Sequence, residues 1–230
     1  MKISVFSILS ALAIVMLSEV QGAEMLGSWP LSDSLESQSG SLRINAYSRG
    51  QKISLEPKNF IGGAIKLGDV ALFATPSLAV SNGITVTGWI NPDKVEMGFS
   101  QTAPHTLINL YDSKQANVAN FIFRILDGKL SAFNAASKKN ISTTFLAPTE
   151  QWSFFAFVLT PEAVHIYLNS YPAQVVSLEN ADRYDRFFVG AMNPAALRSY
   201  QGLMKNVKLY EGTLGAEEIK GLYESERPTE

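Results

Sequence analysis

The sequence of 230 residues contains no cysteine and only two histidines. Without cysteine the chain can form no disulfide, no thiolate metal site and no cysteine nucleophile. Two histidines could complete a transition-metal site only with carboxylate ligands, and no carboxylates stand at a recognisable spacing for one. A chain of this length can nevertheless bury enough apolar surface to fold without covalent cross-links. We therefore expect a domain that is stable without metal ions or cofactors.

The chain also lacks a strong charge of either sign. It carries 19 lysine and arginine residues against 21 aspartate and glutamate residues, which gives a formal net charge of −2. Nucleic-acid binding needs a basic surface that neutralises phosphates and releases counterions. The balance of charge therefore argues against a nucleic-acid partner.

Long apolar runs are absent except at the start of the chain, where residues 3–17 follow Lys2. A basic start, an apolar stretch of about 7–15 residues and a small residue before the cut are the features of a secretory signal peptide. Gly22 provides the small residue and predicts cleavage before Ala23. The alternative is a membrane anchor, but a bilayer span needs about 20 apolar residues and Glu19 interrupts this run.

We therefore expect a signal peptide over residues 1–22 and a single domain over residues 23–230. Because no cysteine follows the signal, attachment as a lipoprotein is excluded. The mature protein is then expected to be secreted or periplasmic, and not an integral membrane protein after cleavage.

The hydrophobic pattern of the remaining chain indicates strands. Residues 84–90 alternate and are rich in β-branched side chains, and residues 152–159 are apolar on both faces, which is typical of a central strand. The pair Asp127-Gly128 between two apolar runs is a strong signal for a two-residue hairpin loop. One helix is predicted after Gly215, with Glu217 and Glu218 in its first turn. Many short strands separated by turn residues predict an all-β sandwich or barrel.

The order of these segments resembles a known family. The relevant segments are Gly27-Ser-Trp-Pro-Leu31, Ile84-Thr-Val-Thr-Gly-Trp-Ile90, Trp152-Ser-Phe-Phe-Ala-Phe-Val-Leu-Thr160, Val164-His-Ile-Tyr-Leu168 and Tyr200-Gln-Gly-Leu-Met-Lys-Asn-Val-Lys-Leu-Tyr210. This set, between Gly27 and Tyr223, resembles the laminin-G-like branch of the concanavalin A-like lectin/glucanase superfamily. The resemblance implies an antiparallel two-sheet jelly-roll sandwich with one short C-terminal helix.

The strand after Gly202 departs from the family pattern. Lys205 stands where the resemblance implies a carboxylate that helps to bind calcium in many relatives, so we expect no metal at this position. If Met204 and Val207 both face the core, the two-residue period of a strand fails between them. A β-bulge is therefore predicted near Lys205-Asn206.

Catalytic motifs are not found. The resemblance implies that the glucanases of the superfamily would carry Glu-x-Asp-x-x-Glu on one strand, and this triplet does not occur here. The nucleophile motif Gly-x-Ser-x-Gly is also absent. The remaining acids read as solvated surface residues, and the three tryptophans read as core residues rather than sugar platforms. We expect no enzymatic activity, although a divergent glycan hydrolase or lyase remains as a third hypothesis.

One surface is predicted to bind a ligand. Pairing across the hairpin loop sets Arg124 opposite Ser131 and Ile122 opposite Phe133 on one face, while the more apolar side faces the core. The preceding strand adds polar and aromatic groups, and we expect Arg124 to be exposed and unpaired. The candidate ligand-binding residues are Asn109, Tyr111, Arg124, Ser131 and Phe133. The alternative is that Ile122 and Phe133 lie beneath the loop of residues 91–105 as a satellite core.

An aromatic ring beside a guanidinium and an amide is what a sugar site uses. The function expected is therefore non-catalytic, lectin-like carbohydrate binding, with a glycan or an envelope or extracellular protein as the partner. A structural or protein-interaction domain of the cell envelope without glycan affinity is the alternative hypothesis. A glycan-binding domain should have an aromatic-lined face, whereas an interaction domain should have a flat apolar patch.

Overall fold

The computed structural model describes residues 22–93, 105–115, 120–195 and 198–228. These residues form seventeen strands, two short 3₁₀ turns (Pro57–Asn59 and Val80–Asn82) and one α-helix. The strands are β1 (Glu24–Trp29), β2 (Asn45–Ser48), β3 (Gln51–Ile53), β4 (Ile65–Leu67), β5 (Ala71–Ala74), β6 (Leu78–Ala79), β7 (Ile84–Pro92), β8 (His105–Tyr111), β9 (Asn120–Leu126), β10 (Lys129–Asn134), β11 (Lys139–Leu146), β12 (Ser153–Leu159), β13 (Ala163–Leu168), β14 (Gln174–Ser177), β15 (Arg183–Tyr184), β16 (Arg186–Val189) and β17 (Gly202–Glu211). The helix is α1 (Ala216–Ser225).

Two large antiparallel sheets face each other. The seven-stranded sheet has the order β1-β17-β7-β12-β13-β14, with β4 paired beside β17, and the eight-stranded sheet has the order β11-β10-β9-β8-β16-β5-β2-β3. Strands β6 and β15 form a separate two-stranded ribbon. Neighbours in these orders are often distant in the sequence, as expected for a jelly roll. The predicted all-β sandwich with one short C-terminal helix is confirmed.

The main core lies between the two sheets. Alternate residues of β12 point inward, where Phe155 and Phe157 meet Phe123 of β9 with ring centroids 5.5 and 5.1 Å apart. Phe121 also packs against Phe157, at 5.4 Å. Because a strand exposes alternate side chains to opposite faces, the residues between these positions must lie on the outer faces of the sandwich.

A second apolar cluster covers the outer face of the seven-stranded sheet. Helix α1 begins after Gly215, whose N–H donates to the Glu218 carboxylate at 2.7 Å. Its apolar side lies on the sheet, where Tyr223 stacks on Trp89 with centroids 5.7 Å apart. Strand β7 alternates in sequence as a half-exposed strand would, yet both of its faces are buried because the helix covers the outer one.

Two local predictions are confirmed in detail. Asp127 and Gly128 both have positive φ, at 51° and 72°, and β9 and β10 pair in the predicted register, with Arg124 opposite Ser131. In β17 the register shifts between Lys205 and Lys208, so the predicted β-bulge is present. Asn206 adopts a left-handed φ of 50° within this bulge.

Candidate functional site

The outer face of the eight-stranded sheet carries the predicted site. In-register pairing aligns one row of residues across seven strands, and this row consists of Asn45, Phe73, Phe188, Asn109, Ile122, Phe133 and Asn140. Their sequence neighbours, such as Leu72 and Phe187, are buried in the main core. The row therefore faces away from the sandwich.

Four rings on this face form a continuous aromatic row: Tyr47, Phe73, Phe188 and Tyr111. Tyr47 meets Phe73 edge-on with centroids 5.8 Å apart, and Phe73 stacks on Phe188 at 4.6 Å. Phe188 in turn stacks on Tyr111 at 5.7 Å. Phe188 is only 1% exposed, whereas the other three rings are half-buried and keep part of their surface accessible.

Asn109 lies beside the aromatic row, next to Phe188 on the neighbouring strand. Its amide Nδ2 donates to the Met192 carbonyl at 2.6 Å, which fixes the side chain beneath the segment that follows β16. Its Oδ1 is buried and accepts no hydrogen bond from any residue that the structure describes. A buried acceptor without a donor is unfavourable, and at 1% exposure Asn109 is closed to a ligand in this conformation.

Arg124 is not exposed and unpaired, as the sequence had suggested. It is 8% exposed, and its guanidinium donates from Nε to Ser131 Oγ at 3.4 Å and from Nη2 to Asn140 Oδ1 at 2.9 Å. Burial lowers the pKa of Arg124, and the positive charge of nearby Arg198 lowers it further. The hydrogen bonds to β10 and β11 hold the guanidinium in place, since neighbouring strands supply both acceptors.

Phe133 completes the predicted set. It is half-buried and lies between Ile122 of β9 and Asn140 of β11. The structure thus places Arg124, Ser131 and Phe133 together on β9 and β10, near one end of the row of seven paired residues. Asn109 lies in the middle of that row, and Tyr111 lies two residues further along the same strand. The hypothesis that a loop covers Ile122 and Phe133 concerns residues 94–104, which lie outside the described residues, so it stays open.

Sequence reasoning missed three rings of the aromatic row. Tyr47, Phe73 and Phe188 lie on strands of only four residues each, and none of the three was among the candidate ligand-binding residues. The signal available was the pair Phe187-Phe188, because adjacent strand residues face opposite sides and one of the two must leave the core.

The tryptophans have structural roles, as predicted for Trp29 and Trp89, which are buried. Trp152 is half-buried and lies under Lys205, whose Nζ is 4.6 Å from the ring centroid. Burial lowers the pKa of Lys205. In the part of the chain that the structure describes, no three acidic or histidine side chains converge as metal ligands. Among the same residues, no helix has the length and apolar character to cross a membrane.

Solved structures share this fold. Domain 4 of AbnA, a GH43 extracellular arabinanase from Geobacillus stearothermophilus solved in complex with arabinotriose, aligns with a TM-score of 0.61 and 19% identity, covering 87% of this chain and 98% of that domain. A chain from a study of botulinum neurotoxin type C, whose cell entry depends on two ganglioside molecules, aligns with a TM-score of 0.65 and 14% identity over 91% of this chain.

The binding domain of botulinum neurotoxin DC in complex with SialylT aligns with a TM-score of 0.62 and 14% identity over 88% of this chain. This chain spans about half of the two toxin chains, 53% and 51% of their lengths. At such identities the likeness establishes the fold alone.

No curated protein sequence matches the chain significantly. A family model described as the concanavalin A-like lectin/glucanases superfamily, of the laminin-G type, matches residues 64–220. This range begins just before β4 and ends within helix α1, so it includes most of both sheets. The chain therefore belongs to the concanavalin A-like lectin/glucanases superfamily.

Proposed function

We propose that this protein is an exported, non-catalytic domain that binds carbohydrate on the outer face of its eight-stranded sheet. The observation that carries the proposal is the aromatic row, with polar side chains on both sides of it. Aromatic rings stack on the apolar C–H faces of sugars, and amide and guanidinium groups bind their hydroxyls. Tyr111 provides a partly accessible ring in the middle of the face, and the buried Asn109 lies next to Phe188 on the neighbouring strand.

The rigidity of the row supports a binding role. Phe188 is packed between Phe73 and Tyr111, so the accessible rings rest on a buried one. Arg186 lies opposite Tyr111, and its guanidinium donates to the Asp185 carbonyl at 2.9 Å. A preorganised face loses little conformational entropy when a ligand binds, which favours affinity.

The distribution of acids supports binding over hydrolysis. Glycosidases use a pair of Asp or Glu side chains that flank the glycosidic bond. The strands of the eight-stranded sheet contain no Asp or Glu residue, so they supply no such pair to this face. The likeness to an arabinanase domain solved with arabinotriose and to ganglioside-binding toxin chains also favours a glycan ligand.

Export is part of the proposal. Removal of residues 1–22 would leave a single domain, residues 23–230, in a secreted or periplasmic location. Strand β1 begins at Glu24, and Ala23 packs against the cluster beneath helix α1. The first strand thus begins directly after the expected cut. N-terminal mass spectrometry of protein isolated from its host should find Ala23 or a residue close to it, and an intact N-terminus from Met1 would contradict export.

The binding experiment is a glycan array with the mature protein, run with calcium and with a chelator. The wild-type protein should bind at least one glycan class, and Tyr111→Ala should bind that class at least tenfold more weakly. The matched control is Tyr171→Ala, because Tyr171 is 60% exposed and lies in the loop between β13 and β14, away from the row. Absence of binding to any glycan would overturn the proposal.

A protein-interaction role is the second candidate. Tyr171, Val175 and Leu146 are the exposed apolar side chains near the meeting edges of β11 and β14, at 60%, 55% and 62% exposure. The edges are joined where the Thr144 N–H donates to Gln174 Oε1 at 3.0 Å. If Tyr171→Ala lost a protein partner from its host while Tyr111→Ala kept it, the interaction hypothesis would be favoured.

A further inference from the structure

The strands that build the candidate face carry charges of one sign although the chain as a whole is nearly neutral. The strands of the eight-stranded sheet contain five lysine and arginine residues and no acid; these residues are Lys52, Arg124, Lys129, Lys139 and Arg186. Four acids lie on the opposite side of the sandwich, in helix α1 and just after it, at Glu217, Glu218, Glu224 and Glu226. The cations of these strands therefore favour an anionic ligand on the candidate face.

Three residues form what we call the arginine corner: Thr106, Arg124 and Arg198. Thr106 of β8 lies directly opposite Arg124 of β9. The Thr106 N–H donates to the Arg198 carbonyl at 2.9 Å, which holds the backbone of Arg198 against the edge of this face. In addition to the effect of burial, Arg198 lies close enough to Arg124 for its positive charge to lower the pKa of Arg124.

The arginine corner has no acidic partner among the described residues. Arg183 and Arg186 form ion pairs with Asp112 and Asp185, but neither Arg124 nor Arg198 pairs with a carboxylate there. Thr106 is fully buried, and its Oγ1 has no hydrogen-bond partner in the same part of the chain. Two neighbouring cations, one of them largely buried, are unfavourable without a compensating anion. The missing anion is therefore a group that the ligand can supply.

We infer that the arginine corner binds the acidic group of an anionic glycan whose sugar rings lie on the aromatic row. This inference rests on the proposed carbohydrate binding. Arg198 is exposed and presents an accessible charge, whereas Arg124 is fixed by Ser131 and Asn140. A carboxylate or a sulfate ester can accept two parallel N–H donors from a guanidinium, which makes both groups suitable.

The spacing allows one ligand to contact both features. Arg124 is two residues along β9 from Ile122, and Ile122 is separated from Phe188 by one strand, at Asn109. Two residues of a strand span about 7 Å and neighbouring strands lie about 4.8 Å apart, so Arg124 is roughly 12 Å from Phe188 across the sheet. An acidic oligosaccharide of a few sugar rings can span this distance without any rearrangement of the sheet.

The test uses an array of uronic-acid, sialylated and sulfated glycans beside their uncharged counterparts, such as polygalacturonate beside its methyl ester and dextran sulfate beside dextran. Wild-type mature protein should bind acidic glycans and bind their uncharged counterparts at least tenfold more weakly. Comparison of the carboxylated and sulfated arms then identifies which acid is recognised. Binding should also weaken at about 1 M salt, where the screening length is about 3 Å.

Arg124→Gln and Arg198→Gln should each weaken binding of the acidic glycan by about ten- to a hundredfold, the effect of losing a hydrogen bond to a charged group. Arg198→Gln keeps the test valid if Arg124→Gln fails to fold, because the Arg198 side chain is exposed. Arg227→Gln is the matched control, since it removes the same charge from the exposed segment after helix α1.

The outcomes separate the inference from the proposed function. Equal binding of acidic and uncharged glycans, or full binding by both folded arginine variants, would overturn the inference and leave carbohydrate binding in place. Failure of the wild-type protein to bind any glycan would overturn both.

Discussion

Tyr111 and Phe188 stack with their ring planes only 3° from parallel and their centroids 5.7 Å apart. The two residues lie on neighbouring strands, β8 and β16, but Tyr111 lies opposite Arg186 and not opposite Phe188. The contact is therefore diagonal across the strand pair. Such a contact sets the ring of Tyr111 parallel to a buried ring and leaves its other surface for a ligand.

This arrangement predicts different outcomes at the two residues. Phe188→Ala should lower the free energy of unfolding by about 3–5 kcal/mol, because it opens a cavity beneath both flanking rings. Tyr111→Ala should cost much less, since Tyr111 is only half-buried, but it should weaken glycan binding. Urea denaturation and calorimetric titration on both variants measure these quantities. Equal stability losses would show that Tyr111 is a core residue.

Phe133→Ala tests whether the part of the face near Arg124 contacts the ligand. If Phe133 contacts the ligand, the variant should bind glycan weakly and melt close to the wild-type temperature. If Phe133 is covered by other parts of the chain, the same change should cost about 3–5 kcal/mol. Thermal denaturation decides between the two, and a large loss of stability would remove Phe133 from the proposed site.

Asn206 tests the bulge in β17. Its left-handed φ of 50° is unfavourable for most residues with a Cβ, whereas glycine and asparagine tolerate it. Asn206→Ala should therefore lower the free energy of unfolding by about 1 kcal/mol, and Asn206→Gly should change it little. Chemical denaturation of the pair measures the difference. If the alanine variant were as stable as the glycine variant, the bulge would not be strained at this residue.

Buried tyrosines should make the protein sensitive to alkali. Burial, with a further contribution from Glu226 and Glu218, raises the pKa of Tyr210 to about 12, and burial also raises the pKa of Tyr200. In the unfolded chain tyrosine loses its proton near pH 10, so the unfolded state holds fewer protons than the folded state above that pH. The free energy of unfolding should therefore fall between about pH 10 and pH 12.

Tyr210→Phe should make that fall less steep by about 1.4 kcal/mol per pH unit, the effect of one proton. Burial lowers the pKa of Lys205, so up to about pH 10.4 the unfolded chain holds more protons at this residue than the folded protein does. This difference makes the free energy of unfolding rise with pH, opposite to the effect of the tyrosines. Urea denaturation across this range measures the slope, with Tyr171→Phe as the exposed control. An unchanged slope in Tyr210→Phe would contradict the assignment.

Removal of calcium should leave the melting temperature unchanged. Lys205 occupies the position where the family resemblance implies a carboxylate, and its ammonium group lies against Trp152. A bound ion whose free concentration is 100 times its dissociation constant would stabilise the folded state by about 2.7 kcal/mol. Scanning calorimetry with calcium and with EDTA detects such a contribution, and a drop of several degrees with EDTA would disprove the prediction.

Turn residues, side-chain parity and helix-start residues in the sequence predicted the hairpin loop, the bulge in β17 and helix α1. The Asp127-Gly128 loop determined the register of β9 and β10 because both turn residues adopt positive φ. The parity argument at Met204 and Val207 located the bulge, since both side chains are fully buried. Helix α1 was predicted from Gly215 and from the two glutamates in its first turn.

The rest of the candidate site depends on contacts between distant segments. Phe73 and Phe188 meet only because β5 and β16 pair across the sheet, and β5 has just four residues and no turn signal. The burial of Arg124 likewise comes from tertiary contacts, since its guanidinium is held by Ser131 of β10 and Asn140 of β11. Pairing within a hairpin can be predicted from turn residues, but pairing between remote short strands cannot.

The covering of the seven-stranded sheet by helix α1 has a practical consequence for any attachment of the protein to a surface. Ala23 contacts the cluster beneath the helix, and Arg227 follows the helix directly. Both residues therefore lie on the side of the sandwich opposite the aromatic row. A tag beside either residue would attach the protein to a sensor surface with the aromatic row facing the solution. Affinities measured with the tag at either position should therefore be the same.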